Sequence, residues 1–540
     1  SLEQFGEDVW YRFRYPIACR VIYAGLLGID RERLHRRVAQ AIERVYVDQL
    51  DVHYERLYDH FRQANELHRA GTYAILAGQA AQVSGEVDRA LLFYGQAEEM
   101  LSLCETCPVR CRDGLLLGLL SKRAELHYTR VDIGHASEDW WHASEVSRRL
   151  GDSTSIGESL LGLGRIALDQ ARYTDAMVLL RRAMQPFSVF GHQEQVADIL
   201  LLLSRVHGLQ GQLAEAARLV ERVLTSEESK KQENLLAACR AWQGDMAIWL
   251  GRYRVAGEML QRAERHGKRS GAPAIVAQSQ SGLAELFLCR GRWGQALSKA
   301  EEALQTSLSV ATPVVVARAQ QVLALVYARI GSYQDADEWV EQTLLTLGDH
   351  DWRVALVSTY WIGGQVRLGL QRLDEAKEWF GHALALGRES NTVRAVVRAQ
   401  LGLGRVAAAR GDWPEAQRLY SETKARARGA GLDHAVLEAR LGLADACAAR
   451  QDWRRAQSEA LQALDSATRL QCPYEELVAC AMLARSLSGL HQVARAAQYL
   501  NDARRLVGQL VQSLPEPMRQ AFLDLPHIRA LGLSSPSRAA

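Results

Sequence analysis

Gly291-Arg292-Trp293-Gly294-Gln295-Ala296 is one copy of a phrase, Gly-x-aromatic-x-x-Ala, that recurs at Gly251–Ala256, Gly331–Ala336 and Gly411–Ala416. The step is 40 residues or a multiple of it. Following it both ways from Ala296 lands on Ala136, Ala176, Ala216, Ala256, Ala336, Ala376, Ala416, Ala456 and Ala496 without a miss. Ala90 precedes them after a longer interval of 46 residues. Twelve residues before each alanine stands a second small side chain: Gly78, Ala124, Gly164, Ser204, Gly244, Ala284, Ala324, Gly364, Gly404, Ala444 and Ala484. A period of this length marks stacked supersecondary units that need no single central core.

Each unit reads as two antiparallel helices. In residues 273–308, Val276, Leu283 and Phe287 share one face, and Trp293, Ala296, Leu297, Ala300, Leu304 and Leu308 form the stripe of the second helix. The small pair Ala284 and Ala296 lets the two backbones approach. Gly291 ends the first helix in the left-handed conformation that glycine adopts without steric cost. The aromatics at the position of Trp293 (Tyr173, Tyr253, Tyr333, Trp413 and Trp453) read as wedges packed into the turn. A lone hairpin cannot bury its apolar face, so the units must stack, and the fold class expected is all-α.

The small residue, turn glycine, aromatic and alanine resemble the tetratricopeptide repeat, with a third family alanine seven residues on at Ala97, Ala143, Ala183, Ala263, Ala303, Ala383, Ala463 and Ala503. The resemblance implies a right-handed superhelical solenoid of about eleven hairpins over residues 66–510. The unit departs from the family in being 40 residues long, against about 34, and in lacking the closing proline. Longer helices or longer linkers must take up the difference. Residues 1–65 do not follow the template. There Tyr11-Arg12-Phe13-Arg14 and Arg33-Leu34-His35-Arg36-Arg37-Val38-Ala39 resemble the segment that joins the ATPase core to the repeats in signal-transducing NTPases of the STAND class, although Tyr15-Pro16 departs from that pattern. This resemblance implies a helical linker or the tail of a winged-helix-like domain. It also implies a bacterial regulatory protein of which this chain is a fragment, a nucleotide-binding domain upstream in cis, and homo-oligomerisation through the full-length protein. Residues 511–540 read as a short capping helix around Pro515–Leu523 followed by a disordered tail from Ser534.

Composition narrows the function classes. With 65 basic and 63 acidic residues the charges nearly cancel, without the basic excess of a nucleic-acid binder. No apolar run reaches the ~18–20 residues of a membrane span, and Ser1–Arg14 lacks the pattern of a signal peptide. Nine cysteines, most of them scattered, form no disulfide framework, so a reducing cytoplasmic setting is expected.

Catalytic signatures are missing as well. Gly267-Lys268 lacks the glycine a phosphate-binding loop needs, and neither a His-Glu-x-x-His nor a Gly-x-Ser-x-Gly motif occurs. No enzyme activity and no cofactor are therefore expected. Cys104, Cys107 and Cys111 alone have a spacing that could hold a metal, with His127, His135 or His142 as a fourth ligand, or form a local disulfide; plain packing is the more economical reading.

One place after the small residue, the position that faces the concave groove in tetratricopeptide arrays carries Arg165, Arg205, Asp245, Glu285, Gln365, Arg405, Asp445 and Arg485. Polar residues of alternating sign suit a protein, peptide or small effector better than nucleic acid, unless they only solvate the face or pair between repeats. The residues four places earlier (Leu161, Leu201, Ala241, Ser281, Gln321) do not supply the Lys or Asn of a carboxylate clamp. The function expected is an interaction and sensor module of a larger regulatory protein, with a passive scaffold, or a metal- or redox-responsive switch at the cysteines, as its rivals.

Overall fold

The computed structural model describes residues 2–5, 8–11, 16–105, 107–130, 132–226, 231–310, 312–348 and 352–532. The tail expected from Ser534 and part of the Tyr11–Arg14 motif lie outside them. The chain forms two compact units. The smaller comprises the residues up to Tyr128 with Gly134–Ser159, and the larger comprises Leu160 onward with the stretch Thr129–Ile133.

The smaller unit opens with a two-stranded antiparallel hairpin, Leu2–Phe5 against Asp8–Tyr11, an exception to the all-α expectation. Helices Gly28–Val45 and Tyr54–Gln63 follow, and then the first repeat hairpin, Leu67–Val83 with Val87–Leu103. Gly78 accepts the Tyr94 ring where any side chain would collide with it.

In the larger unit most of the repeat helices are 17 or 18 residues long, as in Pro273–Cys289 with Trp293–Val310, or Val393–Ala409 with Trp413–Gly429. The length beyond the common repeat therefore goes into longer helices joined by tight turns. Left-handed residues recur at the turns of the described hairpins: Gly251 (φ 71°), Gly271 (64°), Gly291 (66°), Gly411 (78°) and Gly431 (67°), and also the non-glycines Gln371 (62°), Asn391 (53°) and Gln451 (63°). The turn, not glycine itself, is what the repeat keeps.

The paired small residues meet across the hairpin as expected: Ser204 Oγ donates to the Ala216 carbonyl at 2.7 Å, and all ten repeat alanines are buried. Size is balanced one turn further on. Where the first helix has glycine (Gly164, Gly244, Gly364, Gly404), the second brings Leu180, Leu260, Phe380 or Tyr420 onto it. Where it has Ala284 or Ala444, the partner position is Ala300 or Ala460. Phe380 and Tyr420 also meet Gly402 and Gly442 of the following hairpin, so each ring is clasped by glycines on two successive units. Such volume complementarity is what close packing demands.

The larger unit also closes on itself. Tyr253 Oη lies 2.8 Å from His434 Nδ1, 181 residues away. Trp293 packs against Tyr474 at a centroid distance of 5.8 Å, and Thr392 Oγ1 donates to Tyr173 Oη across 219 residues. Tyr253, Trp293 and Tyr173, read from sequence as local wedges, thus reach a hairpin five or six units on. The C-terminal segment joins this closure. Ser513 accepts from the Gly294 amide at 3.0 Å and donates through Oγ to the Gly291 carbonyl. Phe522 meets Trp293 at 4.8 Å, and Leu525, Ile528 and Leu531 share its buried cluster. Among the described residues, no helix is long and apolar enough to cross a membrane.

Candidate ligand-binding cavity

The first helices of seven successive hairpins, Glu233–Trp249 through Pro473–Gly489, turn one face toward a common recess. Closure of the larger unit narrows it to a cavity of about 500 Å³, within the range of small-molecule sites. Leu525, Pro526, His527 and Leu531 of the C-terminal segment form one wall.

The cavity is ordered by buried charge. Glu285, 4% exposed, accepts from Arg318 at 2.8 Å, Arg394 at 2.9 Å and Arg398 at 2.9 Å. Burial alone would raise its carboxyl, but the three guanidiniums hold it well below the usual range. Asp245 acts on Arg318 and Arg394 as well, so two carboxylates face three cations. Burial, and then the like charge of Arg398, pull Arg394 down to about 9. Each of these two guanidiniums lies over an indole, Arg394 at 4.7 Å from Trp249 and Arg398 at 4.2 Å from Trp361, a placement worth roughly 1–2 kcal/mol when desolvated.

Elsewhere on the wall acidic and basic groups stand in pairs. Glu475, 3% exposed, pairs through Oε1 with Arg329 at 3.2 Å. Its Oε2 is buried without a hydrogen-bond partner among the described residues. Arg329 lies over Tyr474 at 4.7 Å, and Tyr474 Oη meets His527 Nε2 at 3.1 Å. Desolvation at the cavity wall and the charge of Arg329 lower the pKa of His527. Glu438 accepts from Arg405 at 2.9 Å; burial opposes its ionisation, but Arg405, His434 and Arg329 bring it to about 2.

Of the eight groove residues expected from the repeat, Glu285, Gln365, Arg405 and Asp445 line this cavity. Asp245 sits beside the Glu285 cluster and accepts from Gln278 at 3.2 Å. Arg485 pairs with Asp445 at 2.8 Å. Arg165 lies 3.9 Å from Asp198, and the Nε of Arg205 is buried without a partner among the described residues. A rule joins several of them: the groove residue pairs with the residue 33 places on, in the next hairpin, as in Asp245–Gln278, Glu285–Arg318 and Arg405–Glu438. Complementary polarity at that spacing was present in the sequence and would have shown that the inner face partly binds its own neighbours. Arg398 stands 33 places after Gln365 and so shares the repeat position of Arg318 and Glu438, whereas Arg394, Trp249, Trp361 and Glu475 were missed because closure of the unit brings them to the cavity.

The histidine that joins the cysteine cluster is His68, which was not among the candidates. Its Nε2 lies 3.3 Å from Cys111 Sγ.

No family model matches the chain. One curated relative, Regulatory protein AfsR of Streptomyces griseus, is 27% identical over 181 residues, which is 34% of this chain and 18% of that protein. The chain therefore matches less than a fifth of that relative's length. Among solved structures, the Rap protein complexed with Competence and Sporulation Factor superposes with a TM-score of 0.50 at 13% identity, over 66% of this chain and 99% of that one. A chain of the APC/C hetero-tetramer Cut9–Hcn1 gives 0.47 at 13% identity over 95% of this chain and 98% of that one. The likeness to Rap is one of fold: this is a tetratricopeptide-like array of helical hairpins.

Proposed function

We propose that the chain is the sensor arm of a regulatory protein, and that its larger unit takes a small effector or a short peptide bearing an anionic group into the cavity. The surplus of positive charge at Arg394 and Arg398, each placed over an indole, carries this reading. A carboxylate or phosphate placed there would neutralise a cation that Glu285 alone does not balance, while the aromatic walls would take an apolar body. The unpartnered Glu475 Oε2 gives the same ligand a second anchor, suited to a donor such as an amine or amide N–H.

The relative that is a regulatory protein, and the complex of Rap with the Competence and Sporulation Factor, support a regulatory binding role. The resemblance of Arg33–Ala39 to the STAND linker supports a nucleotide-binding core upstream, to which occupancy of the cavity would be relayed. The groove residues beyond the cavity, Arg165, Arg205 and Arg485, then belong to a partner-facing surface.

The test is a thermal-shift screen of the chain against short peptides and small carboxylates and phosphates, followed by calorimetry on the hits. Affinity should fall at least about tenfold in Arg394→Gln and in Trp361→Leu, since one charge-assisted contact is worth about 1.5–3 kcal/mol. It should be unchanged in Arg418→Glu on the exposed helix face. Hits that bind both cavity variants as tightly as the parent chain would refute the assignment.

A further inference from the structure

The turn between helices Val87–Leu103 and Val109–Thr129 interrupts the period of the array: the alanines on either side, Ala90 and Ala136, stand 46 residues apart in place of 40. This turn carries Cys104 and Cys107, and Cys111 follows in the first turn of helix Val109–Thr129. Cys111 faces the first turn of helix Leu67–Val83, where His68 sits. The donor atoms of His68, Cys107 and Cys111 all lie within 4.8 Å of one another, with His68 Nε2 at 3.3 Å from Cys111 Sγ. Cys104 stands three residues before Cys107 in the chain. Cys104 and Cys107 are buried, and Cys111 stands at the surface, where an ion can enter.

We propose that His68, Cys107 and Cys111 hold a structural zinc ion, with Cys104, at Cys-x-x-Cys spacing from Cys107, completing the donor set. Three thiolates and one imidazole are a recognised donor set for a closed tetrahedral zinc centre, and Cys-x-x-Cys is its usual spacing. Zinc–sulfur bonds of about 2.3 Å and zinc–nitrogen bonds of about 2.0 Å place tetrahedral donors roughly 3.5–3.8 Å apart, so the trio needs to contract by no more than about an ångström. Soft thiolates select zinc over the hard cations magnesium and calcium. On binding, each thiol gives its proton to solvent and its sulfur to the metal, with no oxidant or reductant involved. The site would pin the irregular turn to the preceding hairpin at the one joint where the repeat spacing breaks. This role is independent of the cavity in the larger unit.

The experiment measures zinc in the untagged chain, purified without chelators under reducing conditions, by inductively coupled plasma mass spectrometry. About one zinc per chain is expected, since such sites bind tightly at neutral pH. His68→Asn and Cys107→Ser should each lower the content several-fold, while Cys447→Ser, buried in another hairpin, should leave it unchanged. Replacement by cobalt should give the visible absorption of tetrahedral thiolate coordination, and this reading on the parent chain does not depend on whether a variant folds. Three results would overturn the proposal: a parent chain that stays zinc-free after dialysis against excess zinc, zinc content unaltered in the Cys107→Ser, Cys111→Ser double variant, or a Cys107–Cys111 disulfide as the stable state under reducing purification.

Discussion

Glu285 shows how much a single buried residue can hold. Its carboxylate joins Arg318 of the next hairpin to Arg394 and Arg398, the latter two 109 and 113 residues away. Removing one member of a buried ionic group costs more than the group contributes net, because the partners stay desolvated without compensation. Glu285→Gln should therefore destabilise the larger unit by about 3–5 kcal/mol. Arg394→Gln removes a cation already in surplus, and should cost about 1 kcal/mol, near the value of its contact with the indole. Denaturation midpoints of the two variants check the asymmetry. Glu438 supplies the matching pH dependence. Its carboxyl is brought from an ordinary 4.5 to about 2, so between those values the unfolded chain binds the extra proton. The stability it confers is complete above about pH 4.5, and is lost as the pH falls toward 2, by at most about 3 kcal/mol. Glu438→Gln should have a lower melting temperature at neutral pH and a shallower decline between pH 5 and 2 than the parent chain, read from melting curves across that range.

At the scale of the helix and its turn, the repeat was open to reading from sequence because its determinants are local. The alanine and its small partner lie twelve residues apart, and the turn between them leaves the two helix faces one way to meet. The strongest local signal, glycine, nevertheless understates the constraint, since Gln371 and Gln451 take the same left-handed turn with φ of 62° and 63°. For a side chain with a Cβ that conformation costs roughly 1–2 kcal/mol, part of which glycine returns as entropy lost on folding. Gln451→Gly should therefore raise stability by about 0.5–1 kcal/mol. Asn391→Gly, at φ 53°, should change it little, since asparagine tolerates this region. Hydrogen exchange at the amides that close the two turns distinguishes the pair: slower at 451, unaltered at 391.

For the larger unit as a whole, sequence foretold the stacking but not the closure. Each hairpin turns by a small angle from its neighbour, and no residue pattern within one period states how far those angles sum. So Tyr253 read as a turn wedge, although its hydroxyl meets His434 181 residues on, and the inner face read as an open groove. The same distance effect hid the role of the C-terminus. A capping helix should protect only the last hairpin, Pro473–Gly489 with Val493–Gln512. Instead Leu514, Phe522, Leu525, Ile528 and Leu531 are buried with Trp293 and Ile330, while Ser513 exchanges hydrogen bonds with Gly291 and Gly294. Ending the chain after Gln512 would uncover the indole of Trp293, which is fully buried in the parent chain, and take away one wall of the cavity. Protection against hydrogen exchange should then fall in Pro273–Cys289, Trp293–Val310 and Pro313–Ile330 as much as in the last hairpin. Phe522→Ala in the intact chain should reproduce the effect in weaker form, at a cost of about 3–5 kcal/mol. Loss of protection confined to Pro473–Gln512 would mean that the terminal segment only caps its neighbour, and that the closure stands without it.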